Sequence, residues 1–342
     1  MSVRVCTDSV LYFEEVFASV QRASEQIEVE MYIFDLDQLG LRFLDHLVAA
    51  ASRGVRVRIL LDGVGSYSWT QSQIEKYKNL GLAIQFYHPV SFKYLHHLNR
   101  RNHRKIILID RKILFSGSLN VSDDVLGWHE TGVVLQNTHL EWILKSFNWL
   151  WSGSPLRHVP SPNSTQVRTT LTRKMRKNSY KSFREQIRHS KNRLWFVTPY
   201  LNLRIEFIFL LFKAVRRKVD VRFLLPEKSD VVLSKYLNQA FYAVLLSGGV
   251  RVFEYTPKFL HSKVSIIDSR AWVGSSNLNQ RSFIHDIELD FLLSDSENIQ
   301  ILTSRLLYDL QSSTEVTPDT LRRFGFFGRV LSRIVYWFRN YF

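Results

Sequence analysis

The segment His103-Arg104-Lys105-Ile106-Ile107-Leu108-Ile109-Asp110 has a counterpart later in the chain, His261-Ser262-Lys263-Val264-Ser265-Ile266-Ile267-Asp268. Both copies read His-x-Lys-x4-Asp, and both are followed by Gly-Ser-x-Asn, at Gly117–Asn120 and at Gly274–Asn277. One copy alone could be incidental. Two complete copies in the same order indicate an internal duplication.

Three further segments repeat in the same order around these motifs. They are Glu28–Phe34 with Leu194–Tyr200, Val55–Leu61 with Val219–Leu225, and Gly81–Pro89 with Gly249–Pro257. Each reads as a strand, and helical apolar spacing predicts helices between the first two strands of each half, at Leu41–Ser52 before Gly54 and at Ile205–Arg217. Such alternation predicts an α/β fold with largely parallel buried sheets, built as two tandem α/β/α sandwich lobes related by a pseudo-two-fold axis.

Composition shifts divide the chain further. We predict a first lobe over residues 1–150, a Ser- and Pro-rich linker over 151–166, and a second lobe over 167–316. The remainder, residues 317–342, begins with a good helix start and has no acid after Asp319. It is predicted to be a C-terminal basic amphipathic helix.

The paired histidines suit phosphodiester chemistry. One imidazole can attack phosphorus and form a covalent phosphohistidine, while the other protonates the leaving oxygen and later deprotonates the incoming hydroxyl. Lys105 and Lys263 supply fixed positive charge for the phosphate oxygens. Residues two apart on a strand point to the same side, so each His is expected to project together with the Lys of its motif.

Each histidine also needs an acid that fixes its tautomer and stabilises its cationic form. A Glu stands 27 residues after each His, at Glu130 and Glu288, and these are the candidates. The Ser and Asn of each Gly-Ser-x-Asn are predicted to add neutral donors to the phosphate. The predicted catalytic residues are His103, Lys105, Asp110, His261, Lys263 and Asp268, and the predicted supporting residues are Ser118, Asn120, Glu130, Ser275, Asn277 and Glu288.

A metal site is the competing interpretation of clustered His and Asp. Within each motif, however, the partner of the His is a lysine, a cation that would repel a metal ion. The prediction is therefore a site without metal, and no other cofactor is expected.

The charge balance indicates anionic partners. A net charge of +15 favours nucleic acid or an anionic membrane surface, and charge alone does not choose between them. From Arg168 to Arg193 there are ten Lys or Arg residues and one acid, Glu185, which indicates either a solvated helix face or a contact with phosphate groups. The single cysteine, Cys6, excludes an internal disulfide and fits a reducing compartment.

Membrane contact, if any, is expected to be peripheral. No run of about 18 uncharged apolar residues occurs, so no transmembrane helix is expected. In residues 317–342, Arg322, Arg329 and Arg333 fall near one helical face beside an apolar, aromatic band. This pattern is typical of a helix lying in an anionic membrane surface, and the alternative is a terminal helix packed on the core.

At these motifs the chain resembles the phospholipase D superfamily, and within it the bacterial cardiolipin synthases. The resemblance extends from about Val5 to Leu293. The segments that carry it, besides the His-x-Lys-x4-Asp motifs, are Glu30–Phe34, Gly54–Arg58, Leu61–Gly63, Arg101–Lys105, Asn120–Asp124, Gly127–Thr131 and Asn277–Ser282. Members of this group often begin with membrane-spanning helices, which are not expected in this chain.

The resemblance implies two phospholipase D-like lobes and a phosphatidyltransferase. It implies a phosphatidyl-histidine intermediate that phosphatidylglycerol attacks to give cardiolipin, with His103 as nucleophile and His261 as acid/base. It also implies that each acid orients the His of the opposite half. The expected partners are an anionic phospholipid membrane, phosphatidylglycerol and a phosphatidyl donor, with the chain peripheral on the cytoplasmic face of a bacterial inner membrane.

Two alternatives stay open. A phospholipase D or a nuclease-type phosphodiesterase of the same fold would use the same histidines and lysines, and the basic surface keeps nucleic acid open as a substrate. A catalytically silent binding module is the other alternative, and the complete motifs in both halves argue against it.

Overall fold

The computed structural model describes residues 2–89, 99–136, 140–153 and 166–323. The elements of the first half are β1 (Ser2–Cys6), α1 (Ser9–Gln21), β2 (Gln26–Met31), α2 (Gln38–Ser52), β3 (Arg56–Asp62), α3 (Gln71–Asn79), β4 (Ala83–Tyr87), β5 (Ile106–Ile109), β6 (Ile113–Gly117), α4 (Asp124–Gly127), β7 (Gly132–Gln136) and α5 (Glu141–Ser152). Those of the second half are β8 (Val167–Thr169), α6 (Arg173–His189), β9 (Arg193–Val197), α7 (Ile205–Arg216), β10 (Asp220–Pro226), α8 (Val232–Ser247), β11 (Arg251–Tyr255), β12 (Val264–Ile267), β13 (Arg270–Gly274), α9 (Gln280–Ile284), β14 (Leu289–Leu293), α10 (Ser296–Gln311), β15 (Ser313–Glu315) and α11 (Pro318–Arg323). Residues 154–165 of the predicted linker and residues 324–342 of the predicted C-terminal helix lie outside the described ranges.

Each half forms one mixed sheet with the same strand order. The first runs β1-β7-β6-β5-β2-β3-β4, and the second runs β8-β14-β13-β12-β9-β10-β11, with β15 added at the β11 edge. Strands β2, β3 and β4 are parallel, as are β9, β10 and β11, and the other neighbouring pairs are antiparallel. The expectation of largely parallel sheets is therefore wrong. The strand after each His-x-Lys continues into an antiparallel meander, and the parallel pairs are those joined by the longer helices α2, α3, α7 and α8.

The strand registers agree with two of the three predicted segment pairings, and they offset the pairing of the first strand of each half by one residue. Glu30 pairs with Ile106 in β5, and Val197 pairs with Val264 in β12, so Glu30 and Val197 occupy equivalent positions. The sequence correspondence of Glu28–Phe34 with Leu194–Tyr200 is therefore wrong by one residue. Because side chains alternate between the two faces of a strand, this offset decides which residues of each half face the same layer.

The core has three main layers, which follow from alternation along the central strands. In β5, Ile107 and Ile109 belong to a core with α1 and α2, whereas Ile106 and Leu108 belong to a core between the two sheets. The second half repeats this arrangement, with a separate core under α6, α7 and α8. The shared layer also takes residues from α5 and α10, so each sheet is covered on both faces. It joins the two lobes along the pseudo-two-fold.

Local signals place the helices where the sequence predicts them. The carboxylate of Asp37 accepts a hydrogen bond from the Gly40 N–H and caps α2, and Gly54 takes a φ of 90° after the last turn of that helix. Thr172 caps α6 in the same way through the Met175 N–H. Across the described ranges, none of the helices has the length and apolar character that crossing a membrane requires.

Candidate active site

The two His-x-Lys segments meet at the boundary between the lobes. Strands β5 and β12 begin one residue after Lys105 and Lys263, so each His and Lys lies in the segment that enters the strand rather than in the strand itself. The His103 N–H donates to the Ile287 carbonyl at 2.9 Å, and the His261 N–H donates to the His129 carbonyl at 2.9 Å. Each His segment is thereby tied to the chain of the opposite half, one residue before its Glu.

Each imidazole contacts the Glu of the opposite half. His103 Nδ1 lies 3.0 Å from Glu288 Oε2, and His261 Nδ1 lies 2.6 Å from Glu130 Oε1. His103 Nδ1 also lies 3.1 Å from the Ser275 carbonyl oxygen. A carbonyl oxygen accepts and cannot donate, so Nδ1 of His103 carries the proton and its Nε2 keeps a lone pair.

The two acids differ in protonation. Burial raises the pKa of Glu288 to about 7, with Lys105 opposing and Asp290 reinforcing the rise. Burial would also raise the pKa of Glu130, but His261 and Lys263 outweigh it and lower that pKa overall. Glu130 is therefore the ionised acid of the pair at neutral pH, whereas Glu288 titrates near neutrality.

The histidines differ accordingly. Burial lowers the pKa of His103 well below its usual value, and the cations Lys105 and Lys263 lower it further. Burial also lowers the pKa of His261, but the Glu130 carboxylate opposes that change. His103 is thus held neutral, and His261 is the imidazole with a carboxylate that stabilises its protonated form.

The two lysines are almost completely buried. Lys105 Nζ donates to the His103 carbonyl at 2.8 Å, and Lys263 Nζ donates to the His261 carbonyl at 2.5 Å. Burial lowers the pKa of Lys105 to about 7, helped by repulsion from Lys263, and it lowers the pKa of Lys263 to about 8. Two buried lysines that repel each other favour binding of an anion, because its negative charge would offset both the repulsion and the loss of solvation.

The serines of the Gly-Ser-x-Asn segments hold the acids rather than facing a phosphate. Ser118 Oγ donates to Glu130 Oε2, and Ser275 Oγ donates to Glu288 Oε2. We expected these two serines to donate to the phosphate, but their hydroxyls donate to the glutamates instead. Gly117 precedes Ser118 at a φ of 128°, and a Cβ there would lie 2.4 Å from the Thr131 carbonyl oxygen, so glycine permits the close approach that brings serine to acid.

The asparagines, in contrast, line the cavity. Asn120 and Asn277 both border it, and Asn120 Oδ1 accepts from the Ile33 N–H at 3.3 Å. Asn277 is 5% exposed, and its Oδ1 has no hydrogen-bond partner within the described residues. These amides are placed to supply neutral donors to a ligand in the cavity.

The two motif aspartates lie away from this cluster, at the far ends of β5 and β12. Asp110 accepts from the N–H groups of Ser24, Glu25 and Gln26 at 2.8–2.9 Å. Burial would raise its pKa, but these backbone donors outweigh burial and lower it. Asp268 accepts in the same way from the N–H groups of residues 191–193. The catalytic assignment of both aspartates is corrected: each carboxylate fixes the turn that enters β2 or β9.

The site opens into a cavity of about 560 Å³ lined by both halves. The first half contributes rings beside the imidazoles, with Tyr32 at 4.8 Å from His103 and Trp128 at 5.2 Å from His261 between ring centroids. The second half contributes a polar wall, whose residues include Tyr200, Asn202, Asp230, Ser234, Asn238, Asn279, Arg281 and Asp286. The sequence did not predict Tyr32, Trp128 or most of these polar residues as site residues, because residues of these types belong to no repeated motif.

A buried pair supports the His261 side. His129 Nε2 lies 2.7 Å from Asp309 Oδ2, and the His129 carbonyl accepts from the N–H groups of His261 and Ser262. The residue equivalent to His129 in the other half is Ile287, since His129 precedes Glu130 and Ile287 precedes Glu288. No repeated motif marks His129, so the fold alone reveals its position.

No group of three His, Cys, Asp or Glu side chains within the described ranges is arranged to hold a metal ion. Absence of metal from the reaction stays a prediction.

Comparisons with known proteins agree with this architecture. The family model described as "Cardiolipin synthase, PLD-like domain" matches residues 16–151 and 183–310. The cardiolipin synthase of Halalkalibacterium halodurans is 29% identical over 96% of this chain and 70% of its own length. The probable cardiolipin synthase of Bacillus subtilis is 30% identical over 93% of this chain and 67% of its own length.

Solved structures show the same fold. The phosphatidylserine synthase of Haemophilus influenzae matches with a TM-score of 0.71 at 12% identity, over 99% of this chain and 93% of that one. The polyphosphate kinase of Porphyromonas gingivalis matches with a TM-score of 0.68 at 13% identity, over 93% of this chain and 49% of that one. The expectation of two phospholipase D-like lobes is confirmed.

Proposed function

The chain belongs to the cardiolipin synthase, PLD-like domain family, and from this premise we propose that it is a phosphatidyltransferase that works through a covalent phosphatidyl-histidine. The acceptor we propose is phosphatidylglycerol, which would give cardiolipin. The observation that carries the proposal is the pair of imidazoles at one cavity, each held by the Glu of the opposite half and each beside a buried lysine.

In the first step, His103 Nε2 attacks the phosphorus of the donor lipid. A P–N bond forms, the bond from phosphorus to the leaving alcohol breaks, and its electron pair stays on the leaving oxygen. His261 gives its proton to that oxygen. Lys105, Lys263 and the cavity asparagines stabilise the negative charge on the phosphoryl oxygens.

In the second step, the acceptor hydroxyl replaces the departed alcohol. His261, now neutral, takes the hydroxyl proton, the acceptor oxygen attacks phosphorus, and the P–N bond breaks with its electrons returning to His103. Both histidines then regain their starting protonation. Splitting the exchange into two displacements lets one phosphate site serve both alcohols.

The assignment of His103 as nucleophile rests on its protonation. An attacking imidazole must be neutral at the reacting nitrogen, and the Ser275 carbonyl together with the depressed pKa of His103 favours that form. A general acid must carry a proton, and the ionised Glu130 favours that form for His261.

We propose that the enzyme acts as a peripheral protein on the cytoplasmic face of a bacterial inner membrane. The net charge of +15 supports attraction to anionic lipid. The basic, aromatic sequence of residues 324–342 supports the same location.

The test is incubation of the purified chain with phosphatidylglycerol vesicles in the presence of EDTA, followed by lipid mass spectrometry. Cardiolipin and glycerol are the expected products. His103→Ala should give neither, whereas His189→Ala, at a histidine whose side chain is 75% exposed, should match the parent. Phosphatidic acid without cardiolipin would replace the proposal by a hydrolytic phospholipase D. If EDTA abolished turnover, the prediction of a metal-free reaction would be wrong.

If no lipid product formed with phosphatidylglycerol, phosphatidylethanolamine or cytidine-diphosphate-diacylglycerol as donor, the transferase proposal would fail. A single- or double-stranded DNA substrate would then test the nuclease alternative with the same two variants.

A further inference from the structure

Helix α6 is strongly basic, and most of that charge takes no part in the fold or the active site as far as the described residues show. It carries seven Lys or Arg residues and one acid. Lys174, Lys177 and Lys181 are exposed. The adjacent helix α7 exposes two apolar side chains one turn apart, Ile205 at 54% and Phe209 at 57%. We call Lys174, Lys177, Lys181, Arg204, Ile205 and Phe209 the α6–α7 surface.

Tyr180 joins the basic and apolar parts of this surface. Its hydroxyl lies 3.4 Å from Glu206 Oε1, and the Arg204 guanidinium carbon lies 5.8 Å from its ring centroid. Lys177 and Lys181 lie within one helical turn of Tyr180. The lysines therefore stand beside the first turn of α7, where Ile205 is exposed.

Both helices of this surface begin a few residues after positions that belong to the active site. Helix α6 starts shortly after Thr170, whose hydroxyl accepts from the Glu288 N–H at 2.6 Å. Helix α7 starts shortly after Asn202, which lines the cavity. A flat partner lying on the α6–α7 surface would thus extend to the entrance of the site.

The equivalent surface of the first half has the opposite charge, although it too exposes apolar side chains, Leu11 of α1 and Leu41 of α2. Helix α1 takes the place of α6 and carries Glu14 and Glu15 with no Lys or Arg. Arg42 of α2, the helix equivalent to α7, is paired with Glu14 at 2.7 Å. Since the same fold forms with an acidic helix at this position, the basic residues of α6 are not required for folding.

We propose that the α6–α7 surface docks the enzyme on an anionic phospholipid bilayer and brings the cavity mouth to the lipid. The proposal rests on the proposed function, because it supplies the route by which a lipid substrate reaches the site. Lysines attract the head groups, and the exposed Ile and Phe enter the interfacial region. Nucleic acid would satisfy the lysines, but it offers no apolar phase for Ile205 and Phe209.

The first test compares two double variants with the same change of charge. Lys177→Gln/Lys181→Gln removes two lysines from the surface, and Lys76→Gln/Lys78→Gln removes two exposed lysines from α3 of the first lobe. Binding is measured by co-sedimentation with vesicles of equimolar phosphatidylcholine and phosphatidylglycerol. The α6 variant should bind roughly 10- to 30-fold more weakly, because each lysine near an anionic surface contributes about fivefold, while the α3 variant should change little. Equal losses, or no loss in the α6 variant, would overturn the proposal.

The second test addresses the apolar part. Phe209→Ser should weaken binding to the same vesicles severalfold, whereas Leu41→Ser, at an exposed leucine of α2, should not. Equal behaviour of these two variants would count against insertion at Phe209. Retention of all variants on duplex DNA is measured in parallel. Weaker retention of the α6 variant on DNA with unchanged binding to vesicles would assign the surface to nucleic acid instead.

Docking and chemistry are separated with short-chain phosphatidylglycerol below its micelle concentration. In this soluble substrate the α6 variant should turn over like the parent, and its defect should appear with vesicles alone. A parent chain without turnover on either form would contradict the proposed function, while the binding comparison would still decide the docking surface. An equal defect of the α6 variant on soluble lipid would place its effect in the active site and overturn the docking role.

Discussion

The two halves hold equivalent histidines by different means. Around His103, Arg104 forms a buried ion pair with Glu30 at 2.6 Å, and Arg101 forms another with Asp62 at 2.9 Å. Around His261, the residues equivalent to Arg101, Arg104 and Glu30 are Phe259, Ser262 and Val197. The His103 segment is thus fixed by two buried Arg–carboxylate ion pairs, whereas these positions around His261 are apolar or small and the buried support comes from the His129–Asp309 pair instead.

The duplication therefore preserved the chemistry of the two histidines, while the residues that support each of them diverged. A buried ion pair gives little net stability, but it fixes geometry strongly because neither charge tolerates loss of its partner. Apolar packing at Phe259 and Leu260 is more permissive. We therefore expect the halves to respond differently to equivalent substitutions, and the following predictions test that expectation.

The largest effect should come from the histidines, and it should distinguish their roles. His103→Ala and His261→Ala should each reduce turnover of phosphatidylglycerol by on the order of a thousandfold or more, with the fold retained. A donor whose leaving group is p-nitrophenol needs no proton at that oxygen. His261→Ala should therefore still release about one equivalent of p-nitrophenol in a burst, and His103→Ala should release none.

The burst experiment has a clear contrary outcome. A burst from His103→Ala and none from His261→Ala would exchange the two roles. Unimpaired turnover by either variant would refute a site shared between the halves.

The next largest effect should be on stability, and it should be confined to the first half. Arg104→Ser introduces the residue of the second half and leaves the buried Glu30 with the Asn102 amide but without its cationic partner, which should lower the free energy of unfolding by about 3–5 kcal/mol. Adding Glu30→Val to that variant should recover part of the loss. Ser262→Ala in the second half should cost about 1 kcal/mol or less. The free energy of unfolding of the parent and the three variants is measured by urea unfolding followed by circular dichroism. Equal losses for Arg104→Ser and Ser262→Ala would show that the two halves do not differ in how their histidines are supported.

A third prediction concerns pH. In the free enzyme, Lys105 with a pKa of about 7 and Lys263 with a pKa of about 8 lose their charge as pH rises through these values. The value of kcat/KM should therefore fall on the alkaline side, first as the general acid His261, whose pKa burial lowers from 6.5, loses its proton, and further from about pH 7 upward as the lysines lose theirs. On the acid side it should fall only well below pH 6.5, where His103, whose pKa is lowered by burial, becomes protonated. Lys105→Arg keeps its charge at high pH and should weaken the alkaline fall.

The same lysines make a prediction of opposite sign for stability. Their pKa values are lower in the folded protein than in the unfolded chain, so the unfolded chain binds more protons between about pH 7 and pH 10. The contribution of these lysines to the free energy of unfolding should therefore rise with pH over that interval while activity falls. A Lys263→Met variant should show a smaller rise.

Much of the site could be predicted from the sequence because its chemically active residues belong to motifs that are repeated in both halves. His103, His261 and the two lysines stand at the same spacing in both halves, and the acids follow at equal distances. Asp110 and Asp268 repeat just as faithfully, yet they hold turns, because a repeated carboxylate looks the same in sequence whether it binds substrate or backbone N–H groups. The equivalence of Glu30 with Val197 could not be predicted either. Both strands are apolar-rich extended segments, which can be aligned one residue apart without losing the pattern.

The supports that distinguish the halves could not be predicted for a related reason. His129 and Asp309 are 180 positions apart and meet only when α10 packs beside the second His segment. Ile287, at the equivalent place of the other half, gives no polar signal that a search for repeats would find. An internal repeat predicts only the residues that both halves share, so it could not predict supporting residues that differ between the halves.

The smallest effect that we predict tests this asymmetric support. His129 does not touch the cavity, but its carbonyl accepts from the His261 N–H, and its ring is fixed by Asp309. Asp309→Asn removes the charge that holds the ring and should lower kcat for phosphatidylglycerol by roughly tenfold, a fraction of the roughly hundredfold or more that general acid/base catalysis contributes, with little change in KM. Because the pair acts through the acid/base His261, a p-nitrophenyl donor should restore the first step to the parent rate. Ile287→Val, at the equivalent position beside His103, should change neither substrate by more than about twofold. If Asp309→Asn slowed release of p-nitrophenol as much as it slowed cardiolipin formation, the pair would support the whole lobe interface rather than the acid/base side of the site.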